Sequence, residues 1–262
     1  MVGLQPLLLG QLHAEMRITS VQLGHAGSAE LLMMGASTVI AGIWLKPAGL
    51  RWTCLIAALG MALANWLTLQ ANGEMVTLVR GAAGLCGGIL IWNTVCMMTR
   101  ASRPEWWTGV YLTLQGIAMS GMAAFMSALV IGKWGANGGF VTLAVVSIIA
   151  GLASLAGPRA YHPLPPTTAP AGLPTPKGAV ALLVTFLFLA GIGGIWLYVE
   201  PLSVQGGYDK NVVGWAITLS LAAQVVGSAL ATVLAGRWPW FQVLLGCAFV
   251  DLALLATFST LP

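Results

Sequence analysis

Charge is what this sequence has least of. Only 7% of its residues are Asp, Glu, Lys or Arg, where soluble domains run near a quarter. A water-soluble chain of 262 residues needs polar side chains to cover its surface, and 58% of these residues are apolar. Lipid is the solvent that tolerates such a surface. Histidine and cysteine are also scarce, at three and four. Cys54, Cys86, Cys96 and Cys247 fall inside apolar runs, none in C-x-x-C spacing and none near a histidine, so they read as small apolar packers. His13, His25 and His162 lie between the apolar runs without a neighbour that would make a metal site or activate a nucleophile. There is no G-x-S-x-G, no H-E-x-x-H and no P-loop. The expectation is a protein without metal or cofactor that is not an enzyme. The N-terminus lacks a basic n-region, so no cleavable signal peptide is expected.

What is present is long apolar runs. In lipid every backbone N–H and C=O must find a partner within the protein, which only helices and closed barrels allow. A barrel would show segments of about ten residues alternating in polarity. Here the runs are unbroken and mostly near twenty residues, the length a helix needs to cross. The expected fold is all-α, with spans at 2–12, 26–45, 52–69, 75–98, 107–131, 140–156, 179–199, 212–235 and 241–260. The first covers only about 16 Å at about 1.5 Å per residue, roughly half the hydrocarbon thickness. The ninth runs almost to the last residue. Both ends read as cut, which makes the chain an incomplete copy of a larger bundle.

Seven of the thirteen prolines fall in 158–177, where proline blocks helix and favours an extended linker. That segment divides 1–157, with six spans, from 178–262, with three. The net charge of +4 does not point to nucleic acid, because nearly all the basic residues sit at span ends. Loops after the even-numbered spans hold Lys46, Arg51, Arg100, Arg103, Arg159, Lys177 and Arg237; the other side holds Arg17, Lys133 and Lys210. The excess puts the first set, with the linker, in the cytoplasm. Tryptophans cluster near span ends, as the headgroup layer favours.

Six helices, a cytoplasmic linker and a second set resemble the major facilitator superfamily. Two motifs carry the resemblance further. Gly42-Ile-Trp-Leu-Lys46-Pro-Ala-Gly49-Leu-Arg51 matches the family's loop G-x-x-x-D-[RK]-x-G-[RK]-[RK] at Gly42, Gly49 and Arg51, and departs from it at Lys46 and Pro47. In the fourth span, Arg80-Gly-Ala-Ala-Gly84-Leu-Cys-Gly87 fits R-x-x-x-G-x-x-G. Arg237 is the main remnant of the second copy of the loop motif. The glycine–proline motif of antiporters is absent from the fifth span. The resemblance implies a multi-pass monomer of a bacterial inner membrane, moving a small organic solute by alternating access; Arg80 and the carboxylates within spans point to protons as the coupling ion. It also implies a cavity lined largely by helices one, four, seven and ten. A non-transporting receptor or scaffold on the same architecture is the alternative.

Candidate site residues follow from cost. An ionisable side chain at the centre of a span costs about 2.5–3.5 kcal/mol on insertion scales, so Arg80, Glu30 and Asp251 are expected to face the bundle interior or water. Glu200 closes the seventh span beside Pro201, with Trp196 and Tyr198 alternating before it near a cavity mouth. The amides Gln11, Asn93 and Gln115 are placed to reach a solute. Gly42, Gly49, Arg51, Gly84, Gly87 and Arg237 are assigned to gating and conformational change. Glycines of the fourth and seventh spans also form small-residue faces that let helices approach closely.

Overall fold

In a computed structural model the described residues are 2–46, 48–161, 176–234 and 240–259. Arg237 and most of the proline-rich linker lie outside them. The described residues are all-helical, apart from an isolated bridge between Ala48 and Ala160. The α-helices are α1 (Gln5–Ala14), α2 (Ser20–Trp44), α3 (Leu50–Thr68), α4 (Glu74–Thr99), α5 (Pro104–Phe125), α6 (Ile131–Ser154), α7 (Pro176–Gln205), α8 (Lys210–Leu234) and α9 (Trp240–Ser259). Among the described residues six stretches are long and apolar enough to cross a membrane. The chain is a multi-pass membrane protein. α1, at ten residues, is too short to be one of the six. α5 and α6 fall within one continuous stretch, Pro104–Ser154.

That stretch has 51 residues, which as one rod would measure about 76 Å at 1.5 Å per residue. It is not one rod. A π-helical turn spans Met126–Val130, and Gly135 takes φ 58°, ψ −152°, a backbone state that L side chains avoid. The chain reverses there. Ala136 and Asn137 meet Glu15 and Arg17 at one end of the bundle, whereas Ser154 and Gly157 meet Arg51 at the other.

The same pairings fix directions. α2 and α4 run parallel: His25 lies near Glu74, Glu30 against Gly84, and Trp92 beside Gly42. α3 runs antiparallel to both, with Asn65 on Arg80 and Cys54 on Asn93, and α6 packs antiparallel to α3. α7 packs on α1 and α2 through Glu200 at Gly10 and Leu197 at Gly27. α8 lies antiparallel along α5, where Thr113 meets Ser228 at 3.1 Å and Gly109 packs on Thr232. α9 makes no extensive contact with another described helix.

Arg17 ties one end together. Its guanidinium donates to Asn72 and Asn137 side chains (3.1 and 2.8 Å) and to the carbonyls of Thr68, Leu69 and Ala71 (2.7, 3.0 and 2.6 Å), covering orphan carbonyls at the end of α3. At the same end α2 starts six residues earlier than its apolar run. Thr19 and Gln22 form a reciprocal capping box there: Thr19 Oγ1 accepts from Gln22 N (3.2 Å), and Gln22 Oε1 accepts from Thr19 N (3.0 Å). α7 likewise outruns its predicted end. It continues through Pro201 to Gln205, so Glu200 is not a helix terminus but lies within the helix, 7% exposed.

Candidate functional site

α4 supplies the starting point. Its sequence places Gly84 and Gly88 one turn apart on the face toward α2. A Cβ at Gly84 would lie 2.2 Å from the Glu30 carbonyl oxygen, and one at Gly88 2.2 Å from that of Met34. Only glycine lets the two backbones approach this closely. The Thr38 hydroxyl lies between Met34 O of its own helix (2.7 Å) and Gly88 O across the contact (3.0 Å), and shares its proton between them.

Close packing carries polar residues inward with it. Arg80, a turn before Gly84, is 2% exposed, and Glu30 is 4% exposed. Arg80 donates one terminal nitrogen to Asn65 Oδ1 (3.1 Å) and lies over the Phe140 ring, 5.2 Å from its centroid, within cation–π range. Its Nε and the Asn65 Nδ2 are buried without a hydrogen-bond partner among the described residues. Glu30 accepts from Gln5 Nε2 at 3.1 Å. Arg80 and Glu30 do not form a direct ion pair. They line one void, with Gln5 and Phe140, of about 10 Å³, close to the room one water needs. An arginine and a carboxyl group thus line one gap with room for about one water.

On its other side Glu30 borders a larger cavity of about 280 Å³ between α2, α3, α4, α5 and α6. Its wall includes Met34, Met61, Gly84, Gly87, Tyr111, Gln115 and Met119. This is near the lower limit for ligand pockets, about 300 Å³. Flexible thioethers give the wall adaptable packing. The structure therefore brings Glu30, Gln115, Gly84 and Gly87 to one cavity, with Arg80 behind Glu30.

The other expected residues are elsewhere. Gln11 donates to Glu15 (3.0 Å), whose carboxylate accepts from Ala136 N (2.7 Å) just after the Gly135 kink in α6; the pair holds a bundle end. Asn93 faces the opposite end, where Tyr161 Oη donates to its carbonyl and side-chain oxygens and its amide meets Cys54 Sγ. Tyr198 does not share a face with Trp196 and Glu200, which lie one turn apart. Two residues along an α-helix turn the chain by roughly 200°, so Tyr198 points to α2, with its hydroxyl 3.4 Å from Ser20 O, while Glu200 presses on Gly10 of α1. Trp196 is half-buried against the apolar core. Asp251 is half-buried on α9, away from the cavity. Gly42 is exposed beside Trp92, and Gly49, at φ 71°, starts α3 in the left-handed conformation. Arg51 donates Nε to Gly157 O (2.6 Å). No grouping of three His, Cys, Asp or Glu side chains that could hold a metal occurs among the described residues.

Sequence reasoning missed three participants. Gln5 is a lone amide in the first apolar run, the same signal that marked Gln11. Tyr111 sits at a span's start and reads as an interface ring. Tyr161 lies among the prolines and reads as linker. No protein-family model, curated protein or solved structure matches this chain.

Proposed function

We propose that the chain is a secondary transporter of the major facilitator type, moving a small organic solute by alternating access with proton coupling. The observation that carries this reading is the buried Arg80–Glu30 arrangement beside the 280 Å³ cavity. A carboxyl group with a cation behind it and a solute-sized space in front can trade partners. Glu30 is held by Gln5 (3.1 Å) and separated from Arg80 by the small void they share; in the proposed cycle the carboxyl and the guanidinium pair in one state and part in the other. Intramembrane ionisable groups are costly and tend to mark such pathways.

The helix pairing supports the reading too. In a bundle of two six-helix halves related by an axis along the membrane normal, a contact between helix n and helix n+6 is its own symmetry mate. The α1–α7 contact has that form. The proposal counts α1 and α9 as spans, nine in all, with the basic loops in the cytoplasm and the membrane a bacterial inner membrane.

The test uses the chain in proteoliposomes loaded with a pH-reporting dye. Organic anions and amphipathic cations of up to about 20 heavy atoms are added one at a time, a size set by the lower range of pocket volumes. At least one solute is expected to drive proton movement, lost in Glu30→Gln and in Arg80→Ala. Solute flux that persists in both variants and with the gradient collapsed discards the coupling claim. Flux of no solute discards transport.

A further inference from the structure

A cavity of about 570 Å³, larger than the central one, lies away from it. It opens at the basic end of the bundle, in the cleft between the start of α3 and the end of α6, and is lined by Gly49, Arg51, Trp52, Leu155 and Arg159. Two arginines line it, and no carboxylate does. Among the described residues neither arginine has an ion-pair partner. Arg51 spends only its Nε, on Gly157 O. Arg159 contributes its backbone carbonyl, which accepts from Leu50 N at 3.2 Å, and its side chain stays exposed.

The cavity also holds a helix start. Gly49 caps α3 without a side chain to accept its first N–H groups, so the positive end of the helix dipole adds to the two arginines. Below the cleft, toward the middle of the spans, an apolar track runs down both helices. Trp52, Ile56 and Leu59 on α3 are 64, 68 and 44% exposed, and Leu152, Ile149 and Val145 on α6 are 57, 60 and 49% exposed. A charged head over an apolar track is the inverse image of a phospholipid with an anionic head.

We infer that this cleft binds an anionic phospholipid of the basic-side leaflet, its phosphate between Arg51 and Arg159 and its acyl chains along α3 and α6. Basic pockets between membrane helices recognise anionic head groups in this way. The bound lipid would pin the Gly42–Arg51 loop to the segment after α6, which the Arg51–Gly157 bond and the Ala48–Ala160 bridge already join. The inference is independent of the transport proposal, since it involves neither the central cavity nor Arg80.

The test is native mass spectrometry of the full chain in detergent, with equal amounts of phosphatidylglycerol and phosphatidylcholine of the same acyl chains. The wild type is expected to retain phosphatidylglycerol preferentially. Arg159→Gln, whose side chain makes no bond needed for folding, should lower that retention about fivefold, the worth of one basic residue at an anionic surface. Arg51→Gln should lower it further, and Arg159→Lys should restore most of it. Equal retention of the two lipids, or unchanged retention in Arg159→Gln, overturns the inference. Displacement of the lipid by glycerol 3-phosphate at equal concentration overturns its assignment to lipid in favour of a soluble phosphate.

Discussion

Helices α4 and α7 each carry a cluster of glycines in an apolar span. In α4, Gly81, Gly84, Gly87 and Gly88 all lie against other residues, Gly84 and Gly88 against the backbone of α2. In α7, a Cβ added at Gly191, Gly193 or Gly194 meets nothing within 4 Å. Half of α4's central window is buried, against 6% of α7's, although α7 is the more apolar of the two. Glycine marks where a helix can be approached, but it does not recruit the approach. What α4 has and α7's glycine stretch lacks is polar side chains beside the glycines: Arg80 held by Asn65, and a partner helix whose Thr38 bonds the Gly88 carbonyl. In lipid these bonds and close van der Waals contact, rather than hydrophobicity, select partners.

The comparison breaks most decisively at Gly84 and Gly88. Gly84→Ala puts a methyl group 2.2 Å from the Glu30 carbonyl oxygen, and Gly88→Ala puts one 1.9 Å from Ser37 Oγ and 2.2 Å from Met34 O. Backbone cannot step aside as a side chain end can. Overpacking of this kind costs about 1–3 kcal/mol per site, so the double variant should show a large fall in thermal midpoint in detergent and a poor folded yield. An unchanged midpoint would mean that α2 and α4 do not touch through this face. Gly87→Ala is the built-in control, because its Cβ meets the flexible end of Met61 at 3.2 Å and should be tolerated.

The glycine result shows where the sequence was readable. Solvent, helical class and most span positions follow from hydropathy, because lipid imposes one length and one backbone solution on every span. Arg80 and Glu30 were legible for the same reason: a charge in an apolar run must turn inward. Partner choice was not legible, since Gly84 and Gly193 look alike until their neighbours are known. Within the Trp196–Tyr198–Glu200 grouping, helical period keeps Trp196 and Glu200 a turn apart and sends Tyr198 to a different face. Spacing by two suits a strand, whereas on α7 it sends Tyr198 to α2 and Glu200 to α1. The start of α2 was misplaced because hydropathy ignores caps, and T-x-x-Q at Thr19–Gln22 carries the helix past the apolar run. Tyr161 was hidden by its prolines.

Tyr161 sharpens the contrast with a smaller effect. It fastens the basic end of α4 by donating to Asn93, with Arg100 over its ring at 5.1 Å. Its phenol is raised above the ordinary value of 10, chiefly by burial and further by Cys96 and Cys54, with Arg100 opposing. A raised phenol stays protonated in the folded protein at pH values where the unfolded chain has lost its proton. Its contribution is therefore complete below about pH 10 and is lost as pH rises beyond that point. Thermal melts from pH 8 to 11 should show the wild type weakening at the alkaline end and Tyr161→Phe weakening less. At pH 8 the phenylalanine variant should be less stable by about 1 kcal/mol, the net worth of a typical hydrogen bond. A pH dependence identical in both proteins would detach Tyr161 from α4.

The smallest effect should have the opposite sign. With nothing within 4 Å of a Cβ at Gly193, Gly193→Ala meets no steric cost. It removes the conformational freedom that makes glycine a poor helix former, worth roughly 0.5–1 kcal/mol in a helix interior. The thermal midpoint of Gly193→Ala in detergent should therefore rise slightly or hold, while Gly84→Ala falls. A fall at Gly193 comparable with that at Gly84 would mean that the glycine face of α7 is covered in the working protein. The distinction between the two helices would then be one of occupancy rather than of sequence. A rise would mean that α7 meets lipid along this face, and that its glycines serve bending rather than packing.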